Sequence, residues 1–231
     1  MISKRIILFS VMFIPALLTS NLWGEIKTPD HSQGQNIIRL NNILVDKINK
    51  EIRISAKLAV TEGILEYLLV GNHGKTYESV LKVGDNKPSE LNFALLLIGC
   101  KALGFDEFLG LKDEGNGSAI LSAKHRQSLL EINFFQDGKK FDLQRIVIDR
   151  EKSGKPFIWV YTGGVLIKDH GYAADLEFSY IGIWPDRVAV INLFADLKNP
   201  YQGDFGYEIN KALKEVLAVD QNFEIVIRRY K

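Results

Sequence analysis

The chain has 231 residues, 46% hydrophobic and 25% charged, and its 29 basic and 28 acidic side chains leave a net charge of +1. These fractions exclude a collagen-like, disordered or multi-span membrane chain, and near-neutrality excludes a global basic field for nucleic acid. Cys100 is the single cysteine, so an internal disulfide, a cysteine-rich zinc site and a four-thiolate iron–sulfur cluster are excluded as well.

Lys4 and Arg5 precede Ile6–Leu18, an apolar run broken only by Ser10 and Pro15, and a short, more polar exit over Thr19–Gly24. That order is the pattern of a secretory signal over residues 1–24. The run falls short of the roughly 20 residues that a membrane span needs. Gly24 suits the position before a cleavage point, but Leu22 is large two residues earlier. The flanks therefore leave open both a cleaved leader and an uncleaved N-terminal anchor. Cleavage would take the basic count from 29 to 27 against 28 acidic residues, a net charge of −1. Glu25–Asn36 has almost no apolar residues and reads as a flexible linker. Residues 37–231 are then expected to form a single β-rich domain.

Hairpin signals recur from Ile37 onward. Ile43–Val45 and Glu51–Val60 alternate around a polar DKINK turn. Leu65–Val70 and Lys75–Lys82 flank Gly71-Asn72-His73-Gly74, which predicts an antiparallel hairpin with Tyr67 opposite Glu78. Pro88-Ser89-Glu90 opens an apolar stretch that ends at Gly104 and predicts a helix over about residues 89–103. Its apolar residues run almost all round, so the helix is expected to be buried on most sides, with Cys100 inside it. Between Asp106 and Ala123, the stretch LKDEGNGS (Leu111–Ser118) reads as a mobile loop. Ser128–Phe135 and Lys140–Ile148 flank Asp137-Gly138, a type I′ signal. Phe157–Thr162 and Val165–Lys168 flank Gly163-Gly164, and Tyr180–Trp184 and Val188–Phe194 flank Pro185-Asp186. A second, short helix is predicted over Tyr207–Leu217 and a last strand over Phe223–Arg228. The expected fold class is α+β, dominated by antiparallel sheet built from successive hairpins.

No full catalytic motif is present, and the four histidines are scattered, so no metal site is expected. The candidate chemistry sits on the 65–82 hairpin. Its predicted register puts Glu78 on the more apolar face, where a carboxylate must be paired, hydrogen-bonded or protonated. Glu66 and Lys75 form a candidate solvated pair beside Tyr77. Trp159 and Tyr161 share one strand face and form a candidate binding platform, the alternative being core packing. Asp175 and Glu177 alternate on a candidate strand, an arrangement that allows acid–base work or is simply an exposed edge.

ILVDKINKEIRISAKLAVTEGILEYLLVGNHGKTYESVL, the ALLLIG run, W-V-Y-T-G-G and Y-A-A-D together resemble the YdjY-type domain of bacterial proteins, over about Ile43 to Asn192. The most specific part is E-Y-L-L-V with G-K-x-x-E-S, carried by Glu66–Val70 and Gly74-Lys75 through Glu78-Ser79. The family pattern has His just before the second Glu, where this chain has Tyr77, and T-G-S where it has Thr162-Gly163-Gly164. The resemblance implies a bacterial source, export to the periplasm or beyond, and one compact domain. It implies no activity. Some family proteins are labelled ferredoxin-like, a role that one cysteine cannot support. Two functions follow as expectations. The first is a non-enzymatic envelope module without cofactor that binds a partner protein or small ligand, with no nucleic acid and no membrane contact beyond an unprocessed N-terminus. The second is a hydrolase or lyase using Glu78 with Glu66 or Asp175.

Overall fold

The computed structural model describes residues 36–114, 117–195, 201–213 and 215–230. The expected signal segment, and the linker apart from Asn36, lie outside the described residues. All of the described residues belong to one compact unit, Ser32–Lys231.

In chain order, β1 (Ile37–Leu40), β2 (Ile43–Asp46) and β3 (Glu51–Leu58) form an antiparallel meander. β4 (Ile64–Leu65) and β5 (Tyr67–Gly71) follow, and a 3₁₀ turn over Thr76–Glu78 leads into β6 (Ser79–Val83). Three helices come next: α1 (Pro88–Leu97), α2 (Phe105–Asp113) and α3 (Gly117–Lys124). β7 (Leu129–Gln136) and β8 (Lys139–Phe141) form a hairpin, and α4 (Leu143–Ile146) runs into β9 (Val147–Asp149). β10 (Trp159–Tyr161) precedes a small ribbon of β11 (Leu166–Ile167) and β12 (Gly171–Tyr172), which leads into α5 (Ala173–Glu177). β13 (Ser179–Gly182), β14 (Ile191–Leu193), β15 (Tyr207–Ile209) and β16 (Asn222–Arg229) complete the chain.

Eight of these strands close into a barrel in the order β3-β16-β7-β10-β14-β13-β5-β6, and β6 returns to β3. The sheet is mixed, because β5 runs parallel to β6 and β13 runs parallel to β14. β1, β2 and β8 extend the sheet outside the barrel, and β4, β15 and β9 form a separate three-stranded sheet. The expected α+β fold of successive antiparallel hairpins with one buried helix is therefore replaced by a closed mixed barrel with five short helices.

Both parallel pairs fall where a hairpin was expected. Gly71 and Gly74 do not serve a tight reversal. They make room for Phe178, whose Cβ would lie 3.0 Å and 3.2 Å from a Cβ built at those two positions. Gly71 N–H donates to the Phe178 carbonyl at 2.8 Å, so the turn wraps round Phe178 and delivers β6 parallel to β5. In the second pair, residues 183–190 are organised by Asn192, described below.

The helices also depart from expectation. α1 ends at Leu97, and Gly99, at φ 82°, supplies the left-handed stop expected at Gly104. Gly104 is instead the N-cap of α2, and of the loop expected over Leu111–Ser118 the described residues, apart from Glu114, belong to the end of α2 and the start of α3. α1 buries only Leu91, Ala94 and Leu95 with Pro88, and leaves Phe93 and Leu96 about half exposed, because it lies on the outside of the barrel. Cys100 falls after the helix, still buried. The expected C-terminal helix over Tyr207–Leu217 is β15 followed by a 3₁₀ turn at Lys211–Leu213. Asp137 and Gly138 do adopt the positive φ values, 50° and 74°, that a type I′ turn requires.

Burial separates two sides of the barrel. β5, β10, β13 and β14 are buried throughout, because helices and loops cover their outer face. α2 and α3 cover Leu129 and Val160 with Phe108, Leu111 and Leu121. β3 instead alternates, with Ile52, Ile54, Ala56 and Leu58 inside and Arg53, Ser55 and Lys57 exposed. The outer face of β3 is therefore open to water, as are Asn222 and, in part, Glu224 beside it on β16.

Two predictions arise here. The Tyr180 hydroxyl is buried and finds no hydrogen-bond partner among the described residues. Tyr180→Phe is expected to raise stability by about 1 kcal/mol, because it removes an unsatisfied polar atom from the core. A fall in the urea midpoint would overturn that assignment. In the turn between β2 and β3, Asp46 accepts from Ile48 N, Asn49 N and Asn49 Nδ2 at 3.0, 2.9 and 2.7 Å. The Asn49 backbone bond is the foremost cause holding the carboxyl below the usual 3.8. A carboxyl depressed in the folded state stabilises above its unfolded value, and that contribution disappears as pH falls through the folded value. Exchange of the Ile48 and Asn49 amides, corrected for intrinsic rates, is expected to accelerate below about pH 4. Unchanged protection at pH 2 would show that the carboxylate does not hold the turn.

Candidate functional site

The segment that sequence reasoning favoured forms a charged cluster at the end of β5. Lys75, one residue before the 3₁₀ turn, reaches Glu66 Oε2 at 2.9 Å and Glu78 Oε2 at 3.8 Å. Tyr201 donates its hydroxyl to Glu78 Oε1. The Lys75 ammonium also lies 5.7 Å from the Tyr67 ring centroid, and the Tyr67 hydroxyl donates to Asp186 Oδ2 at 2.8 Å. The hydrogen bond to Glu66 pushes the Lys75 ammonium up. Burial, then the Asp186 carboxylate, push the Tyr67 phenol well up. A cavity of about 280 Å³ beside the cluster is lined by Tyr67, Lys75, Leu176, Glu177 and Asp186 among others.

Glu66, Lys75 and Glu78 therefore do come together, but not through the expected register. β5 and β6 are parallel with Tyr67 beside Ser79, and Glu78 sits on the 3₁₀ turn, partly exposed, instead of on an apolar strand face. Tyr77 is on the same turn and 66% exposed. Trp159 and Tyr161 form no platform. They are 3% and 1% exposed, Trp159 packs against Phe157, and the Tyr161 hydroxyl donates to Asn92 Oδ1. Asp175 and Glu177 lie on the short helix α5, not on a strand. Asp175 accepts from Ser89 N and Ser89 Oγ, both at 2.7 Å, and so holds the first turn of α1 against α5. Among the described residues no group of three His, Cys, Asp or Glu side chains is placed to hold a metal ion. Burial pushes the Cys100 thiol up to about 11, which keeps it protonated and unreactive at neutral pH.

A second feature escaped the sequence. A groove of about 990 Å³ opens over the exposed faces of β3 and β16. Its floor carries Ser55 and Lys57 from β3 and Asn222 and Glu224 from β16, its ends are the 72–76 turn and the Asp137-Gly138 hairpin, and Lys82 lines one wall. Lys82 is paired with Asp220 at 2.9 Å, and Glu224 with Arg53 at 2.9 Å. The alternation of Arg53, Ser55 and Lys57 was the available signal. The pairing of Asn222 with Lys57 and of Glu224 with Ser55, which creates the floor, joins segments far apart in the chain.

No family model, curated protein or solved structure matches the chain.

Proposed function

We propose that the protein is an exported, non-catalytic binding module of a bacterial envelope, and that the groove over β3 and β16 is its recognition surface. One contrast supports this reading. The carboxylates at the charged cluster are spent on Lys75 and Tyr201, whereas the groove presents exposed polar side chains on a floor of strands already paired to their neighbours. Exposed polar side chains held on paired strands supply the hydrogen bonds that fix a ligand's orientation. The leader pattern of residues 1–24 supports export, and among the described residues no helix is long and apolar enough to cross a membrane.

The second reading, a hydrolase or lyase, is favoured by the meeting of Glu66 and Glu78 at Lys75 beside a cavity. A lysine held in its charged form between two carboxylates offers neither a general base nor a free nucleophile, which places this reading second. Retention of the full chain on an isolated bacterial envelope fraction separates the two. Ser55→Arg with Asn222→Arg fills the groove and is expected to abolish retention without changing the circular dichroism spectrum. Glu66→Gln with Glu78→Gln is expected to leave it intact. The reverse pattern would overturn the assignment of the groove.

A further inference from the structure

The groove's chemistry narrows what it can hold, and this step rests on reading it as the recognition surface. Its charges are largely satisfied within the chain: Lys82 by Asp220 and Glu224 by Arg53. Lys57 and Asp137 add one exposed charge of each sign. A polyanion needs a surplus of cations that this lining lacks. The exposed neutral side chains, Ser55, Asn72 and Asn222, make no hydrogen bond within the described residues and are free to bond a ligand. An amide presents a donor and an acceptor side by side, a spacing that fits two neighbouring hydroxyls.

The strand pairing argues against an extended peptide. A peptide bound by strand addition needs an exposed edge. β3 pairs with β16 along one edge and with β2 and then β6 along the other, and Ser55 N–H is taken by the Asn42 carbonyl at 3.2 Å in the gap between them. β16 lies between β3 and β7. The floor thus has only side chains to offer. The groove also lacks deep apolar pockets for peptide anchors, because Phe223 and Ala56 are 3% and 4% exposed. Phe135 is half-buried and turns one ring toward the groove, a surface suited to the C–H face of a sugar.

We propose that the groove binds an uncharged glycan chain, recognised through Ser55, Asn72 and Asn222 with Phe135 as its apolar contact. The test is calorimetric titration of the full chain with maltohexaose, cellohexaose and chitohexaose, alongside hexagalacturonate and an unstructured decapeptide. At least one neutral hexasaccharide is expected to bind. Asn72→Ala and Asn222→Ala are each expected to weaken it about tenfold, the equivalent of one hydrogen bond, with the melting temperature unchanged. These side chains are exposed, so the variants retain the fold. Binding of hexagalacturonate or the decapeptide alone, weakened by the same variants, would overturn the uncharged glycan while leaving the groove as the recognition surface. Binding of none of the probes would overturn the glycan, and retention of the arginine variants on envelope would overturn the groove as the recognition surface as well. Glycan binding indifferent to Asn72→Ala and Asn222→Ala would overturn the site.

Discussion

Asn192→Ala is expected to lower stability by about 3 kcal/mol and the melting temperature by about 6–12 °C. Asn192 is fully buried in β14, and its amide is spent on the connection that precedes it. Nδ2 donates to Thr162 Oγ1 and to the Asp186 carbonyl, both at 2.9 Å, and Oδ1 accepts from Asp186 N at 2.8 Å. Asp186 Oδ1 in turn accepts from Val188 N at 3.0 Å. These bonds fold residues 183–190 into a connection short enough to return β14 parallel to β13. Truncation leaves the Asp186 N–H without its partner and its carbonyl with the Ala189 N–H at 3.2 Å, and opens a void beside Gly182, where a built Cβ would lie 2.8 Å from Asn192 Oδ1. Scanning calorimetry of the two proteins checks the value. A loss below about 1 kcal/mol would show that other groups hold the connection.

Leu81→Ala, at the closure of the barrel, should cost about 3.5 kcal/mol. β6 joins β3 through only two residue pairs, Lys57 with Lys82 and Leu58 with Leu81, reinforced by Ala59 N–H donating to the Val80 carbonyl at 2.9 Å. Leu58 and Leu81 are both fully buried, so apolar packing must hold what few backbone bonds hold weakly. The variant should lose amide protection first at Ala59, well before the centre of β16, where pairing on both sides is continuous. Uniform loss of protection across the barrel would show that the closure has no separate weakness.

The sequence was informative wherever structure depends on neighbours. The turn after Asp46, the Asp137-Gly138 reversal and the strands around them follow from alternation and turn chemistry that act within a few residues. It failed where a short connection joins parallel strands. A turn of seven or eight residues between two apolar runs reads as a hairpin, because nothing local announces that Phe178 will fill the space at Gly71 and Gly74, or that Asn192 will gather the residues before it. The site divided in the same way. Glu66, Lys75 and Glu78 were found because they are close in sequence, although for the wrong register. The surroundings of Trp159, Tyr161 and Asp175 come from α1 and from strands far along the chain, so local sequence leaves platform and core packing open for the two aromatics and does not show the Ser89 contact of Asp175. The groove needs β3 beside β16, a pairing no local pattern could supply.

The place of β16 in the barrel has a consequence for the order in which the molecule is made. Its partners β3 and β7 both precede it in the chain, and among the described residues β16 lies between them. The wall that joins them is missing until β16 has been made, so the barrel cannot close before that point. Such distant pairing also slows folding. The chain thus stays open from the synthesis of β3 until that of β16.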